Sequence, residues 1–189
     1  MKANNNLQPY LDTCAACGLT LPPLDSGSMA PAFALTALPS QWRELARAAK
    51  LAKMRWCGFW VQEIDTGLEA FSCMELGGSY LIIRTKTGTN EPIPSIASIF
   101  PSADRPERHA HDLLGIQFEN QPDNRRWTRH KAWNKTDFPL RADFRFIPSA
   151  NPIPGDHDYP FVPGYGPGVV EIPVGPIHAG IIEPGHFRF

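Results

Sequence analysis

Three strand-like runs follow one another in this 189-residue chain, Trp56 to Ile64, Glu69 to Leu76 and Tyr80 to Lys86. The links between them, Asp65-Thr66-Gly67 and Gly77-Gly78-Ser79, are too short to join anything but antiparallel neighbours. A meander of this kind needs a helical or second-sheet layer on at least one face. A helix is predicted directly after Pro39, capped by Ser40, with Trp42, Leu45, Ala49 and Ala52 on one stripe. Arg43, Arg47 and Lys50 fall mostly on its other side. A second helix is predicted after the meander. The order helix, meander, helix therefore predicts an α+β fold, a mixed or antiparallel sheet with helices on one face, followed by an extended tail rich in Pro and Gly. No glycine-rich phosphate loop occurs, which disfavours a Rossmann or P-loop nucleotide site.

The second helix has well-marked limits. Asp104 can cap it, Pro106 sits in its first turn, Glu107 stands where a capping box needs its acid, and Gly115 is placed to end it. Glu107 and Asp112, five residues apart, point in different directions and do not make an acid/base pair, whereas Arg108 lies four before Asp112. An ion-pair network that caps and orients this helix is the favoured reading. His109 and His111 stand about 200° apart on a helix and suit solvent or interface better than one metal. Ile116-Gln117-Phe118 is predicted as one more short strand.

Three regions follow from this reading: an irregular arm over 1–39, an α+β domain over 40–147, and a Pro/Gly-rich segment over 148–189. Nine prolines and seven glycines lie between Pro148 and Phe189, where only Val169 to Ile172 and His186 to Phe189 have strand character. Eighteen Lys and Arg against 19 Asp and Glu, a formal charge of −1, argue against bulk attraction to nucleic acid or anionic lipid. Four cysteines are too few for a disulfide scaffold and suggest a reduced, cytoplasmic compartment. No apolar run approaches the length of a membrane span, so any attachment to a membrane is expected to go through partners.

Cys14-Ala15-Ala16-Cys17 has the spacing of half a zinc site or a redox pair, but nothing completes it and incidental thiols are the favoured reading. Cys57 and Cys73 read as small buried hydrophobes. The run Arg125-Arg126-Trp127-x-Arg129-x-Lys131 interleaves bases with an aromatic ring, as a stacking surface for single-stranded nucleic acid would. Asp123, Asp137 and Asp143 interrupt it and favour an acidic protein neighbour instead. A freestanding binding module working through Arg125 to Trp133 is thus the rival to the reading developed next.

Three stretches together resemble a known family. They are Glu107-Arg108-x-x-x-Asp112-Leu113-Leu114-Gly115-Ile116-x-Phe118, then Pro122-Asp123-x-Arg125-Arg126, then Pro139-Leu140-Arg141-x-Asp143-Phe144. This pattern resembles the signature of the C-subunit family of complex I (NADH:quinone oxidoreductase) and related hydrogenases, over about Leu38 to Phe146. The chain departs from it at His109, where the family usually has a second acid, and at Gln121, where it often has histidine. The resemblance implies a domain that binds no cofactor of its own and packs against a large, catalytic-type subunit. Arg125, Arg126 and Arg141 have the planar geometry to grip carboxylates on such a partner. Trp127, Trp133 and Phe138 beside them suit either interface anchors or core.

A second resemblance lies in the tail. Gly175-Pro176-Ile177-His178-Ala179-Gly180-Ile181-Ile182-Glu183-Pro184-Gly185-His186-Phe187-Arg188-Phe189 resembles the opening of the large subunit of nickel–iron hydrogenases of the formate hydrogenlyase type. In such proteins a domain of the C-subunit kind is fused ahead of the large subunit. Glu183 matches a proton-transfer glutamate, with His178 and His186 in the same motif and Pro184 as a departure. No cysteine follows Cys73, so nickel–iron and iron–sulfur centres are expected in the rest of the complex and not in these residues. The implied partners are a hydrogenase or complex I-like large subunit, iron–sulfur subunits and membrane subunits, at the cytoplasmic face of the inner membrane. Catalysis would lie in them or in the remainder of the chain.

Overall fold

The computed structural model describes residues 5–88, 91–129, 133–145, 166–177, 179–183 and 185–188. The chain forms two compact units, 1–156 and 157–189. In the first, the predicted meander is present as β2 (Arg55–Ile64), β3 (Gly67–Leu76) and β4 (Ser79–Thr87), paired antiparallel in sequence. The β3–β4 link is the two-residue turn Gly77-Gly78, with φ of 56° and 81°, the positive values that a tight hairpin requires.

The region 1–39, expected to be an irregular arm, carries regular structure among its described residues. They contain helix α1 (Gln8–Ala16) and strand β1 (Phe33–Ala37), and β1 pairs in parallel with β4 to give the order β1-β4-β3-β2. The sheet is therefore mixed, and the predicted α+β class holds. Pro9 does not stop α1 because it stands in the first turn, where a helix needs no proline N–H. The domain end expected near residue 148 lies outside the described residues.

Helix α2 (Pro39–Leu51) starts two residues earlier than a Ser40 cap would place it, and Ser40 is not its cap. Leu38 holds the cap position, and the Gln41 side chain accepts its N–H at 3.2 Å. Trp42, Leu45 and Ala49 of α2 join Tyr10 and Cys14 of α1 against Leu35, Leu68, Met74, Leu81 and Ile83 of the sheet. Burying such side chains contributes about 1.5–3 kcal/mol each, which holds the helices on this one face. The opposite face has a smaller cluster of Ala32, Phe71 and Ile82, on which Trp60 stacks with ring centroids 5.1 Å apart. Cys57 is exposed and Cys73 only half-buried, because both belong to this thinly covered face and not to the core.

Beyond the sheet, β5 (Ile93–Pro94) and β6 (Phe118–Glu119) pair in parallel and bracket helix α3 (Asp104–Leu114). In the second unit β7 (Glu171–Val174) and β8 (Gly185–Arg188) form an antiparallel pair close to the two runs predicted there.

Candidate functional site

Helix α3 carries Glu107, Arg108 and Asp112 of the signature, and each of these three is fixed by a different stretch of chain. Glu107 is fully buried. It is not the acid of a capping box: Ala103 holds the cap position, and Asp104 lies inside the first turn. One Glu107 oxygen accepts the Ile96 N–H at 2.8 Å, and the other lies 2.6 Å from the Ser95 hydroxyl. That hydroxyl also accepts the Ala97 N–H at 3.1 Å and lies 3.0 Å from Oε1 of Gln121. The Ser95 hydroxyl has one proton for two acceptors, Glu107 and Gln121, and its bond to Glu107 favours the ionised carboxylate. Burial pushes the carboxyl up to about 7, opposed by the bonds from Ser95 and Ile96.

Arg108 does not pair with Asp112. Its guanidinium reaches Asp104 at 3.2 Å and Asp123 at 2.8 Å, and it donates to the carbonyls of Arg125 and Arg126 at 2.7 and 3.2 Å. Asp123 also accepts from the Arg125 guanidinium at 2.7 Å. The bonds from Arg125, followed by the charge of Arg108, hold the Asp123 carboxyl well below the usual carboxylate range. Asp112, fully buried, accepts the backbone N–H groups of Trp127, Thr128 and Arg129 on a single oxygen, at 2.7, 2.7 and 3.1 Å. The expected ion-pair network exists around Arg108 through Asp104 and Asp123, whereas Glu107 and Asp112 hold backbone amides in place of a capping box and a pair with Arg108.

The end of α3 is built as predicted on Gly115, at φ 76°. The space beside it is filled: a Cβ there would meet Phe138 at 2.7 Å and Arg141 at 2.8 Å. Arg141 donates to the Leu114 carbonyl at 2.6 Å and lies over the Phe138 ring, 4.7 Å from its centroid. Arg129, almost wholly buried, covers the same ring at 5.0 Å and donates to the carbonyls of Lys135 and Asp137. Spacing did not single out Arg129 and Ser95 for these roles, because their partners are backbone carbonyls and a carboxyl on another segment.

Arg125, Arg126 and Arg129, the described bases of the run, thus all have partners within the chain. Arg125 holds Asp123 and Arg126 the Trp133 carbonyl at 3.2 Å, while Trp127 lies under the guanidinium of Arg105 at 4.9 Å. Arg125, Arg126 and Arg141, expected to grip carboxylates on a partner, also hold acceptors within the chain. Pro122 and Asp143 are exposed and Pro139 is half-buried. In the second unit Glu183 is exposed and His186 lies in β8, while His178 and Pro184 fall outside the described residues.

The thiols do not meet the needs of a nickel or iron–sulfur centre. Cys14 is buried in the core and Cys17 exposed just beyond α1, and no group of three metal-ligating side chains occurs among the described residues. Among those residues, no helix is long and apolar enough to cross a membrane.

Comparison with known proteins gives this site a context. The sequence pattern of the family described as "Respiratory-chain NADH dehydrogenase, 30 Kd subunit" matches residues 35–149. The C subunit of NADH-quinone oxidoreductase from Sinorhizobium medicae is 45% identical over 62 residues, 33% of this chain and 30% of that protein. Hydrogenase-4 component G of Escherichia coli is 36% identical over 98 residues, 50% of this chain and 17% of that protein. Formate hydrogenlyase subunit 5 of the same organism is 32% identical over 114 residues, 58% and 20% respectively. The matches therefore cover less than a third of each relative's own length. A chain of the membrane-bound sulfane sulfur reductase, an archaeal respiratory membrane complex, shares the fold with a TM-score of 0.61 at 15% identity, over 76% of this chain and 88% of that one.

Proposed function

Because this chain belongs to the family of the 30 kDa subunit of respiratory-chain NADH dehydrogenase, we propose that it is a structural, assembly-directing subunit of a membrane-associated oxidoreductase complex. The observation that carries this reading is the coincidence of the family match over 35–149 with the buried network around α3. Glu107, Arg108 and Asp112 act on backbone and on each other's neighbours, so the signature reads as a scaffold that fixes a surface. Its partners are a large subunit of hydrogenase or complex I type, iron–sulfur subunits and membrane subunits. They carry the cofactors and hold the chain at the cytoplasmic face of the membrane. Electron transfer from their clusters would drive proton reduction or run from H2 oxidation, or else reduce quinone.

We further propose that Gly175 to Phe189 begins a large-subunit domain in the same polypeptide, with Glu183 as its proton-transfer residue. Two hydrogenase-type relatives support this, since the matched part is only 17% and 20% of each. A carboxyl beside a hydrogen-activating metal suits that chemistry because it can take and return a proton.

The test is purification of the affinity-tagged protein from its source in mild detergent. Co-purification of a large subunit and of iron–sulfur protein in fixed ratio is the expected result. A lone chain with stoichiometric nickel or iron and turnover of its own would overturn the structural role. Sequencing the coding DNA beyond Phe189 tests the fusion: an open frame running into Cys-x-x-Cys pairs supports it, and a stop codon removes it.

A further inference from the structure

Strand β2 is an edge of the sheet, and its neighbour across the ladder is β3. Among the described residues the backbone groups of 55–64 bond to no backbone but that of β3, while the Glu63 side chain accepts the Ala142 N–H at 2.7 Å. The other edge, β1, is met by a bridge between Asp25 and Ala34. An open edge offers a row of N–H and C=O groups to any extended chain that can reach it, and proteins commonly blunt such edges. Here the blunting is partial: a bulge between Trp56 and Gly58 disturbs the start of β2, while Gly58 to Ile64 run in regular register.

A groove of about 490 Å³ lies against this edge. Phe59, Trp60 and Val61 line one side of it. Successive residues of a strand point to opposite faces, so a groove touching three in a row runs along the strand's edge and not across one face. Leu113 of α3, Trp127 and Leu140 line the other side, and Trp60, Trp127 and Leu140 are 40%, 44% and 60% exposed. The ionisable groups in the lining are Arg105 and His109, with no carboxylate among them. Arg105 faces the Trp127 ring and has no hydrogen bond or ion pair among the described residues.

We propose that the edge of β2 from Gly58 to Ile64 seats an extended, carboxylate-bearing segment of a partner protein, which adds to the sheet as a fifth strand. Its backbone completes the ladder. Its apolar side chains fill the space over Leu113 and Leu140, and its carboxylate meets Arg105 beside His109. A helix in the groove would leave the strand's polar edge unanswered, whereas an added strand answers it. The proposal rests on the chain being a subunit of an assembly and names the surface through which it joins.

The experiment uses the tagged full chain in its purified complex, compared with the chain released from it. Peptides covering 58–64 are expected to exchange amide hydrogens at least tenfold more slowly in the complex. A photoreactive residue in place of Leu140 is expected to cross-link to a partner stretch containing Asp or Glu. Arg105→Glu is expected to cut recovery of that partner fivefold or more, while Arg105→Lys retains it. An intact complex with 58–64 exchanging as in the free chain, or cross-links only to residues 157–189 or a second copy, would overturn the proposal and leave the structural role in the complex standing. If no partner co-purifies at all, both readings fall together.

Discussion

One oxygen of Asp112 lies 2.7 Å from the amide nitrogen of Trp127, so a carboxylate on α3 holds a turn of a segment fifteen residues further along the chain. The same oxygen serves Thr128 and Arg129. Asp112→Ala would leave three amides without this acceptor, one of them on the buried Arg129. A loss of about 3 kcal/mol or more is expected in denaturant unfolding, and Asp112→Asn, which keeps an oxygen, should lose about half as much.

Glu107 makes stability depend on pH. Its carboxyl rises from 4.5 to about 7 on folding, so the folded chain binds the proton more tightly than the unfolded one. Stability from this group is fully present below about 4.5, declines as pH rises toward 7 and is flat above that. The full change is at most on the order of 3 kcal/mol. Glu107→Gln, which mimics the neutral acid toward Ile96 and Ser95, should abolish the decline and equal or exceed the parent at pH 8. Thermal melts between pH 5 and 8 check this, and an unchanged slope in the variant would sink it.

Gly115→Ala puts a methyl group where Phe138 and Arg141 already sit, on a backbone with φ of 76°. Phe138 has little room to yield, because Arg129 and Arg141 both pack over its ring. The strain of the left-handed conformation alone costs about 1 kcal/mol, and the crowding should roughly double it. Loosening of the 138–141 segment, read as faster proteolysis there, is the expected signature.

Arg108→Lys keeps the charge but cannot reach Asp104, Asp123 and two carbonyls at once. A destabilisation of about 2 kcal/mol is expected. Because Asp123 would lose one of the groups that hold its carboxyl low, its proton affinity should rise, which carboxyl NMR titration can follow.

The meander was legible because its turns are each two residues long and its strands are adjacent in sequence. Strand β1 was not. Phe33-Ala-Leu-Thr-Ala is short and rich in small residues, and its partners run from Leu81 to Thr85, far along the chain. Helix α1 was hidden by Pro9, which reads as a turn residue unless its place in the first turn is known. At the site, Gly115 could be read locally because a helix end needs a left-handed residue there. The partners of Glu107, Arg108 and Asp112 could not be read so, since Ile96, Arg125 and Trp127 come to α3 only through the fold. Helical spacing pairs Arg108 with Asp112, but burial favours the acceptor that leaves fewest amides unmet.

The parallel seat of β1 beside β4 sets an order of events for a growing chain. Phe33 to Ala37 leave the ribosome well before Leu81 to Thr85 exist, so the first strand of the sheet has to wait while two hairpins close ahead of it. Substitutions in the Gly77-Gly78 turn should therefore slow folding, whereas substitutions in β1 should chiefly hasten unfolding. The amino-terminal strand is a latecomer to a sheet that begins with it.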